Sequence, residues 1–452
     1  MSKRVMGLLC VVMLTASACG SRTKDSSANN SLGGSTTTST APADASAKIG
    51  TLDNPCGPGT PKAAPAGTPG ITATTIKLAV ISDKVGQVKI PTASIEESMR
   101  AFAGWCNGFG GIAGRKIVLD LIDSKLFQHL EATKQACNDN VFAIVGSGSV
   151  TDNAGAQAMV DCNLIEVPAY TATAQKAMSD NLVQPVPNPS NSFAGGPARY
   201  LSKKYPDAIG HAAMLASNIY TATAAADKQI EAYKSLGFTY VYNKHTGVVQ
   251  DSYAAEAREM KQKGVKYFNM VASVQETAKV LSDMKTQGTD PTVVDLGAQY
   301  YDPTLLTNPA AEGAYVSMNT IPFEEASLNP ALQAYLDAYK KVPTDIKPTS
   351  LGVQAFSAGL LFATAAKSAS DDLTRANVLA KLKAIHSWDG GGMHQPTDPG
   401  ANKGSDCTLL MQIQHGKFVR VYPTTPNTFA CDPANRVTVH GDYGTGAKKK
   451  SS

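Results

Sequence analysis

Residues 76–82 read IKLAVIS, an apolar run that is interrupted at Lys77 and ends at Ser82. A short run of this kind is typical of a buried strand. The segment that follows, SIEESMRAFAGWCNGF (94–109), has apolar residues at helical spacing, and RKIVLDLID (115–123) is a second strand-like run. This order predicts a strand, a helix and a second strand that lies parallel to the first.

The same alternation continues along the chain. Two further helices and two further strands are predicted at EATKQACNDN (131–140), VFAIVGS (141–147), AGAQAMVDCN (154–163) and LIEVPAY (164–170). After VQPVPNPSNS (183–192) the rhythm restarts, with strands at HAAMLAS (211–217), FTYVYNK (238–244), YFNMVAS (267–273) and TVVDLGA (292–298). We therefore predict an α/β protein with two doubly wound parallel-sheet lobes and a ligand cleft between them.

The two ends of the chain predict processing and tethering. Residues 1–18 combine cationic side chains, an apolar segment and small residues, as a secretory signal peptide does. The stretch LTASACG (14–20) resembles a bacterial lipobox, which implies lipid attachment at Cys19; an ordinary secreted protein cut near Ala18 is the alternative. Residues 19–70 are expected to form a flexible Ser/Thr-rich linker, and residues 441–452 a disordered tail.

Composition and motifs argue against several classes of protein. The chain has 41 Lys and Arg against 37 Asp and Glu, a net charge of +4, so no strong field favours nucleic acid as a partner. GSGSVTD (146–152) lacks the third glycine of a dinucleotide site, and the sequence contains no GxSxG, HExxH or P-loop motif. The sequence thus predicts no catalytic residue, no cofactor and no metal site.

Six cysteines remain when Cys10 leaves with the signal and Cys19 takes lipid, and an even number in an exported chain predicts disulfides. Six cysteines allow 15 connectivities. Cys137 and Cys162 each precede a predicted strand, and parallel neighbouring strands would bring them together. Cys407 and Cys431 flank an apparent hairpin that turns at residues 415–417, which leaves Cys56 for Cys106.

The order of these segments resembles the type I periplasmic solute-binding proteins, and within them the branched-chain amino acid receptors of ABC transporters. GGIAGRKI (110–117) is the most distinctive motif of the likeness, which covers residues 75 to about 423. The resemblance implies three crossings between lobes, with residues 71–193 and 323–388 in the first lobe and 194–322 and 389–440 in the second. It also implies a monomer outside the cytoplasm that feeds a membrane permease and ATPase.

The resemblance places a ligand carboxylate in the first lobe. Relatives hold it with a hydroxyl and backbone amides after the third strand, here Ser149 or Thr151, and with a pair after the fourth strand, here Ala172 and Thr173. Backbone N–H groups with a hydroxyl can satisfy a carboxylate without a buried cation. Alternatively, Ser149 and Thr173 serve only as helix caps.

The second lobe leaves the ligand open. Tyr220 follows its first strand, and Gln299 and Tyr300 stand where relatives that bind α-amino acids carry an acidic residue for the ammonium group. A buried ammonium without a carboxylate is costly. The expected solute is therefore a small carboxylate-bearing compound, either an amino acid or an aromatic or amide-like one, with Tyr170, Tyr220 and Tyr300 suited to a planar ligand. A tethered sensor and a purely structural lipoprotein are the alternatives to an importer component.

Overall fold

The structure is a computed structural model that describes residues 48–86 and 92–449. The predicted signal peptide, Cys19 and the linker up to residue 47 lie outside the described residues. Within the described part, no helix is both long enough and apolar enough to cross a membrane.

The described residues alternate between strands and helices along most of the chain. The strands are β1 Lys48–Ile49, β2 Leu52–Asp53, β3 Thr75–Ser82, β4 Lys116–Asp123, β5 Ala143–Val145, β6 Ile165–Val167, β7 Ser192–Ala194, β8 Ala212–Ser217, β9 Tyr240–Thr246, β10 Tyr267–Val271, β11 Val293–Leu296, β12 Tyr315–Met318, β13 Cys407–Gln414, β14 Lys417–Tyr422, β15 Ala430–Cys431 and β16 Arg436–Thr438. The helices are α1 Ala93–Gly108, α2 His129–Asn138, α3 Asn153–Asp161, α4 Ala174–Ala177, α5 Gly196–Lys204, α6 Tyr220–Ser235, α7 Ala254–Gln262, α8 Val274–Gln287, α9 Pro303–Leu306, α10 Pro330–Tyr339, α11 Ser350–Ser368 and α12 Arg375–Lys383. Short 3₁₀ helices span Ile209–His211, Ala298–Tyr300, Pro309–Ala311, Phe323–Leu328 and Pro433–Asn435.

The first lobe is built on a parallel sheet of strand order β4-β3-β5-β6. Side chains of β3 alternate between its two faces: Leu78 and Val80 belong to the core that includes α1 and α11, and Ala79 and Ile81 to the core that includes α2 and α3. Both faces are covered, which explains why the strand reads as a nearly continuous apolar run.

The second lobe is built on a mixed sheet of order β14-β13-β12-β11-β10-β8-β9, with β15 paired to β13. Strands β8 to β12 are parallel, and the hairpin of β13 and β14 adds two antiparallel strands at one edge. The hairpin turns at His415 and Gly416, which both have positive φ. The two lobes and the late hairpin in the second confirm the predicted fold class.

The crossing segments between the lobes contact one another. Thr320 forms an antiparallel bridge with His394, and the Gln395 amide donates to the Asn319 carbonyl at 3.0 Å. The hydroxyl of Thr397 donates to the Pro185 carbonyl at 2.7 Å, which ties the first crossing to the last. The lobes are therefore connected by a narrow group of hydrogen-bonded segments, as a hinge requires.

Three disulfides join Cys56 to Cys106, Cys137 to Cys162 and Cys407 to Cys431, the same pairs that the sequence favours. The first ties the N-terminal segment to α1, and the second joins the ends of α2 and α3. The third closes β13 onto β15. Two of the three thus stabilise the first lobe.

The structure differs from the sequence prediction at both chain ends. Residues 48–70 were expected to belong to a flexible linker, yet β1 and β2 form a hairpin, Ile49 is buried in the core, and the Gly57 amide donates to the Gly111 carbonyl at 2.8 Å. Residues 441–449 were expected to be disordered. Instead Tyr443 bonds Glu231 of the second lobe, and Lys448 pairs with Asp180 of the first.

Candidate ligand-binding site

A cavity of about 520 Å³ opens between the two lobes. Residues that follow β5 and β6 form its first-lobe wall, and residues at the ends of β8, β10, β11 and β12 form its second-lobe wall. The crossing segments supply a third wall through Gln184, Asn319 and Gln395. This volume lies in the range of small-molecule sites, and the carboxyl ends of parallel strands are where such sites occur in α/β proteins.

The walls are apolar with neutral polar groups among them. Aliphatic and aromatic side chains such as Tyr170, Ile219 and Leu351 alternate with hydroxyl and amide side chains. In the described part of the chain, Asp295 is the one lining residue of the Asp, Glu, Lys, Arg and His types. The electrostatic character of the cavity therefore depends on that carboxylate and on the groups just behind the walls.

Behind the first-lobe wall, Asp83 accepts four hydrogen bonds. Its Oδ1 receives the Ser124 hydroxyl at 2.6 Å and the Leu126 amide at 3.1 Å. The Ser149 hydroxyl, at 3.1 Å, also reaches Oδ1, and the Val150 amide donates to Oδ2 at 2.8 Å. Burial raises the pKa of the Asp83 carboxyl, while these bonds oppose the rise.

Asp152 likewise accepts hydrogen bonds from the second pair of residues that was predicted to hold a ligand carboxylate, Ala172 and Thr173. The Ala172 amide donates to Oδ2 at 2.6 Å, and the Thr173 hydroxyl donates to Oδ1 at 2.7 Å. The Thr173 oxygen also caps α4 by accepting from the Lys176 amide at 3.2 Å. Burial raises the pKa of Asp152 to about 6. In both places an internal carboxylate occupies the donors that the family resemblance assigns to the ligand.

Tyr170 covers the first-lobe wall beside these two acids. A Cβ at Gly148 would lie 2.2 Å from Cε1 of the Tyr170 ring, so only glycine leaves room for this packing. Burial raises the pKa of the phenol well above its usual value, and the negative charges of Asp83 and Asp152 raise it further. Tyr170 is therefore a neutral aromatic residue of the cavity lining.

Asp295 lies at the end of β11 with its donors on one side. The hydroxyls of Tyr233 and Tyr267 donate to Oδ2 at 2.7 Å each, and the side-chain amide of Asn269 does so at 3.1 Å. Within residues 48–86 and 92–449, no group donates to Oδ1. Burial raises the pKa of Asp295, and the three donors oppose the rise. This carboxylate is buried, lines the cavity and retains a free acceptor.

Amide side chains line the hinge wall. Both ends of the Gln184 amide make a hydrogen bond, since its oxygen accepts from Thr171 at 2.9 Å and its nitrogen donates to the Val186 carbonyl. Gln354 donates to Asn319 Oδ1 at 3.4 Å. Gln395 is 8% exposed, and its side chain makes no hydrogen bond to the described residues. Gln395 can therefore offer both a donor and an acceptor to a ligand.

Comparison with known families decides what this architecture is. The sequence model of the periplasmic binding proteins matches residues 75–417, which span both lobes and the crossings between them. The chain belongs to the periplasmic binding protein family. Members of this family bind solutes outside the cytoplasm for ABC transporters. No curated protein matches the sequence of this binding protein.

Solved structures show the same fold at low sequence identity. The isoleucine complex of the branched-chain amino acid binding protein LivJ from Streptococcus pneumoniae is 18% identical with a TM-score of 0.64, and covers 77% of this chain and 100% of its own. A fatty acid ABC transporter substrate-binding protein from Thermomonospora curvata has 19% identity and a TM-score of 0.66, over 82% of this chain and 98% of its own. A solute-binding protein from R. palustris in complex with benzoate has 14% identity and a TM-score of 0.64, over 80% and 98%.

Three of the eight sequence-predicted ligand residues line the cavity of this periplasmic binding protein: Tyr170, Ala172 and Gln299. Tyr170 and Ala172 lie on the first-lobe wall, and Gln299 lies opposite them just after β11. The structure thus brings one predicted residue of the second lobe into the same space as two of the first.

The other five predicted residues do not line it, because other contacts hold them. Ser149 and Thr173 bond Asp83 and Asp152, and the Thr151 hydroxyl donates to a backbone carbonyl, that of Leu126, at 2.8 Å. Tyr300 is fully buried, with its hydroxyl bonded to the backbone of β10 and the residue after it. Tyr220 is 49% exposed and accepts a hydrogen bond from Gln175 Nε2 at 2.6 Å.

Sequence reasoning missed the three buried acids around the cavity. Asp83 directly follows the first strand, Asp152 ends the SGSVTD segment, and Asp295 interrupts the apolar strand TVVDLGA. An acidic residue at a strand end or within an apolar run was the available signal, because a buried carboxylate needs specific partners. In the described part of the chain, no group of three or more His, Cys, Asp and Glu side chains forms a metal-binding arrangement.

Proposed function

We propose that this chain is the membrane-tethered solute-binding component of an ABC importer. Lipid on Cys19 would hold it outside the cytoplasm, and the protein would act as a monomer that delivers its solute to a membrane permease and ATPase. Anchoring near the permease raises the effective concentration of the loaded protein there. In this function the chain binds its solute and releases it unchanged.

The position of the cavity carries the proposal. Both lobes and the hinge segments line it, so a bound solute would contact all three at once. A ligand that contacts both lobes favours the conformation in which the lobes are close, because only there are all its contacts made. Binding would thereby convert solute capture into a change of shape that a permease can recognise.

The expected solute is small. The sequence predicts a carboxylate-bearing compound such as an amino acid, an aromatic acid or an amide-like molecule, and relatives named for isoleucine, benzoate and fatty acid support a solute of modest size. A carboxylate held by Ser149 and Thr173 does not agree with the geometry, because those hydroxyls already bond Asp83 and Asp152. A solute of this size would therefore be oriented by other groups of the cavity.

Ligand-linked closure is the test. The full chain, with its disulfides intact, is screened by thermal shift against amino acids, aromatic acids, fatty acids, amides and amines. A solute at about 100 times its dissociation constant adds roughly 2.7 kcal/mol to the free energy of unfolding, which raises the melting temperature by several degrees. Small-angle scattering with each hit should show a smaller radius of gyration. No stabilisation by any compound, after unfolding and refolding to remove carried ligand, would contradict the proposal.

Tethering is tested separately. The Cys19→Ala variant should leave the membrane fraction of expressing bacteria and appear in the soluble extracytoplasmic fraction. Cys10→Ala is the matched control, since it lies in the predicted signal and should not change the distribution. Equal membrane association of Cys19→Ala and the parent would exclude lipid at Cys19 as the anchor.

A further inference from the structure

The three buried acids around the cavity differ in how their oxygens are used. Both oxygens of Asp83 and of Asp152 receive donors from their own lobe. The donors to the Asp295 carboxyl converge on Oδ2, and Oδ1 has no partner among the described residues; the residue is 3% exposed. Because this oxygen belongs to a residue that lines the cavity, it can accept a hydrogen bond from water or from a ligand there.

A ligand carboxylate would find no compensation on the first-lobe wall. The Val150 amide and the Ala172 amide, which line the cavity, already donate to Asp83 and Asp152. A second carboxylate at either place would face an internal one across a shared donor. Like charges at that range raise each other's pKa and oppose binding of the anion.

No cation on the described walls offsets this repulsion. Lysine, arginine and histidine are missing from the described lining. Lys228 lies behind Asn188, and its ammonium donates to Asn188 Oδ1 at 3.2 Å and to the Pro189 carbonyl. The Lys228 ammonium is therefore bonded to residues of the first crossing segment. Lys176, whose charge acts on Asp152 from behind the first-lobe wall, is paired with Glu166. The described lining therefore combines a free carboxyl acceptor with apolar surface and has no cation of its own for an acid.

We propose that the cavity takes a solute without a carboxylate, an apolar body that carries an N–H donor to Asp295 Oδ1. An amide or an amine on a compact apolar group meets this description, and Gln395 supplies a second polar contact for the same head group. This inference rests on the proposed solute-binding function. It narrows the solute class by naming the residue that would recognise the solute.

Matched compounds test the proposal without altering the protein. The full chain is titrated with four phenyl compounds (benzoate, benzamide, benzylamine and N,N-dimethylbenzamide) and with the four octyl analogues (octanoate, octanamide, octylamine and N,N-dimethyloctanamide). Within at least one set, the primary amide or the amine should bind at least tenfold more tightly than the acid. The dimethyl amide keeps the shape but has no N–H, so it should lose most of that affinity. Stronger binding by the amine indicates an ion pair with Asp295, and stronger binding by the amide a neutral hydrogen bond.

Variants of the protein test the partner residue. Asp295→Asn should weaken the preferred amide or amine at least tenfold, with little change for the dimethyl amide. Asp283→Asn is the matched control, because its carboxylate also accepts hydrogen bonds in the second lobe but does not line the cavity. If Asp295→Asn does not fold, the difference in affinity between the N–H compounds and the dimethyl amides, measured on the parent protein, still tests whether the solute must donate a hydrogen bond.

The outcomes separate this inference from the proposed function. An acid that binds as tightly as its amide and amine, or a dimethyl amide that binds as well as the primary amide, overturns the inference while solute binding stands. Silence from every compound in both sets and from the amino acids overturns the proposed function, and the inference with it.

Discussion

The two lobes present different chemistry to the same cavity, although each carries buried acids at the ends of its strands. In the first lobe, both oxygens of Asp83 and of Asp152 accept hydrogen bonds from hydroxyls and backbone amides of that lobe, so neither acid has an oxygen left for a ligand donor. In the second lobe, Asp295 keeps one oxygen free toward the cavity. Repeated topology therefore does not imply repeated function, because the partners of a buried group decide whether it serves the fold or the ligand.

The largest expected effect comes from removing the acceptor in the first lobe. Asp83→Ala would leave the amides of Leu126 and Val150 and two hydroxyls without their partner. Unsatisfied buried donors cost about 1–3 kcal/mol each, so a loss of about 3–5 kcal/mol in the free energy of unfolding is expected. Chemical denaturation measures it. Asp83→Asn keeps one oxygen and should lose clearly less; an equal loss in both variants would mean that charge, and not the acceptor, matters.

Asp152, the second buried acid of the first lobe, predicts that the free energy of unfolding depends on pH. Because folding raises the pKa of Asp152 from 3.8 to about 6, its unfavourable contribution is absent below pH 4. Stability is lost as the pH rises from about 4 to 6, by up to about 3 kcal/mol, and then stays constant. Denaturation at several pH values should show a flatter profile for Asp152→Asn. Parallel profiles for the two proteins would contradict the assignment.

The fold could be predicted because each strand and helix has a local pattern of apolar residues. The hydrogen bonds behind the first-lobe wall could not, because they join residues far apart in the sequence. The run IKLAVIS (76–82) gave β3 almost to the residue, since both its faces are buried. The second run was placed one residue early: Arg115 precedes β4, and its guanidinium donates to the Thr72 carbonyl at 3.0 Å. Asp83 and Ser149 are 66 residues apart, so no spacing or periodicity could reveal their hydrogen bond.

Removing the C-terminal segment would test whether it restrains the movement of one lobe relative to the other. Residues 440–449 bond Glu231 on α6 of the second lobe and Asp180 of the first. Deletion of residues 441–452 should cost about 2 kcal/mol, because the exposed ion pair of Lys448 contributes little while Ala447 is buried in the first-lobe core. It should also broaden the distribution of interlobe distances seen by scattering in the absence of ligand. An unchanged distribution would show that the segment does not restrain the lobes.

The smallest effect is expected at an exposed side-chain contact between the lobes, that of Tyr220 with Gln175. Tyr220→Phe removes the hydroxyl that accepts from Gln175 at 2.6 Å. Because Tyr220 is half exposed, water replaces the lost bond, and a change of about 0.5 kcal/mol or less is expected. A double-mutant cycle with Gln175→Ala isolates the coupling. A coupling well above 1 kcal/mol would make this contact a principal latch.

The segment at residues 440–449 gives the molecule a fourth connection, at a distance along the chain from the three crossings. Crossing segments that all lie on one side of a molecule leave its lobes free to open. A segment that is bonded to both lobes, as residues 440–449 are, opposes opening, because its hydrogen bonds must break when the lobes separate. We therefore expect this segment to shift the balance of open and closed populations before any solute is bound. Since apparent affinity scales with the fraction of protein that is competent to bind, sequence changes at the C-terminus would retune the receptor without touching its cavity.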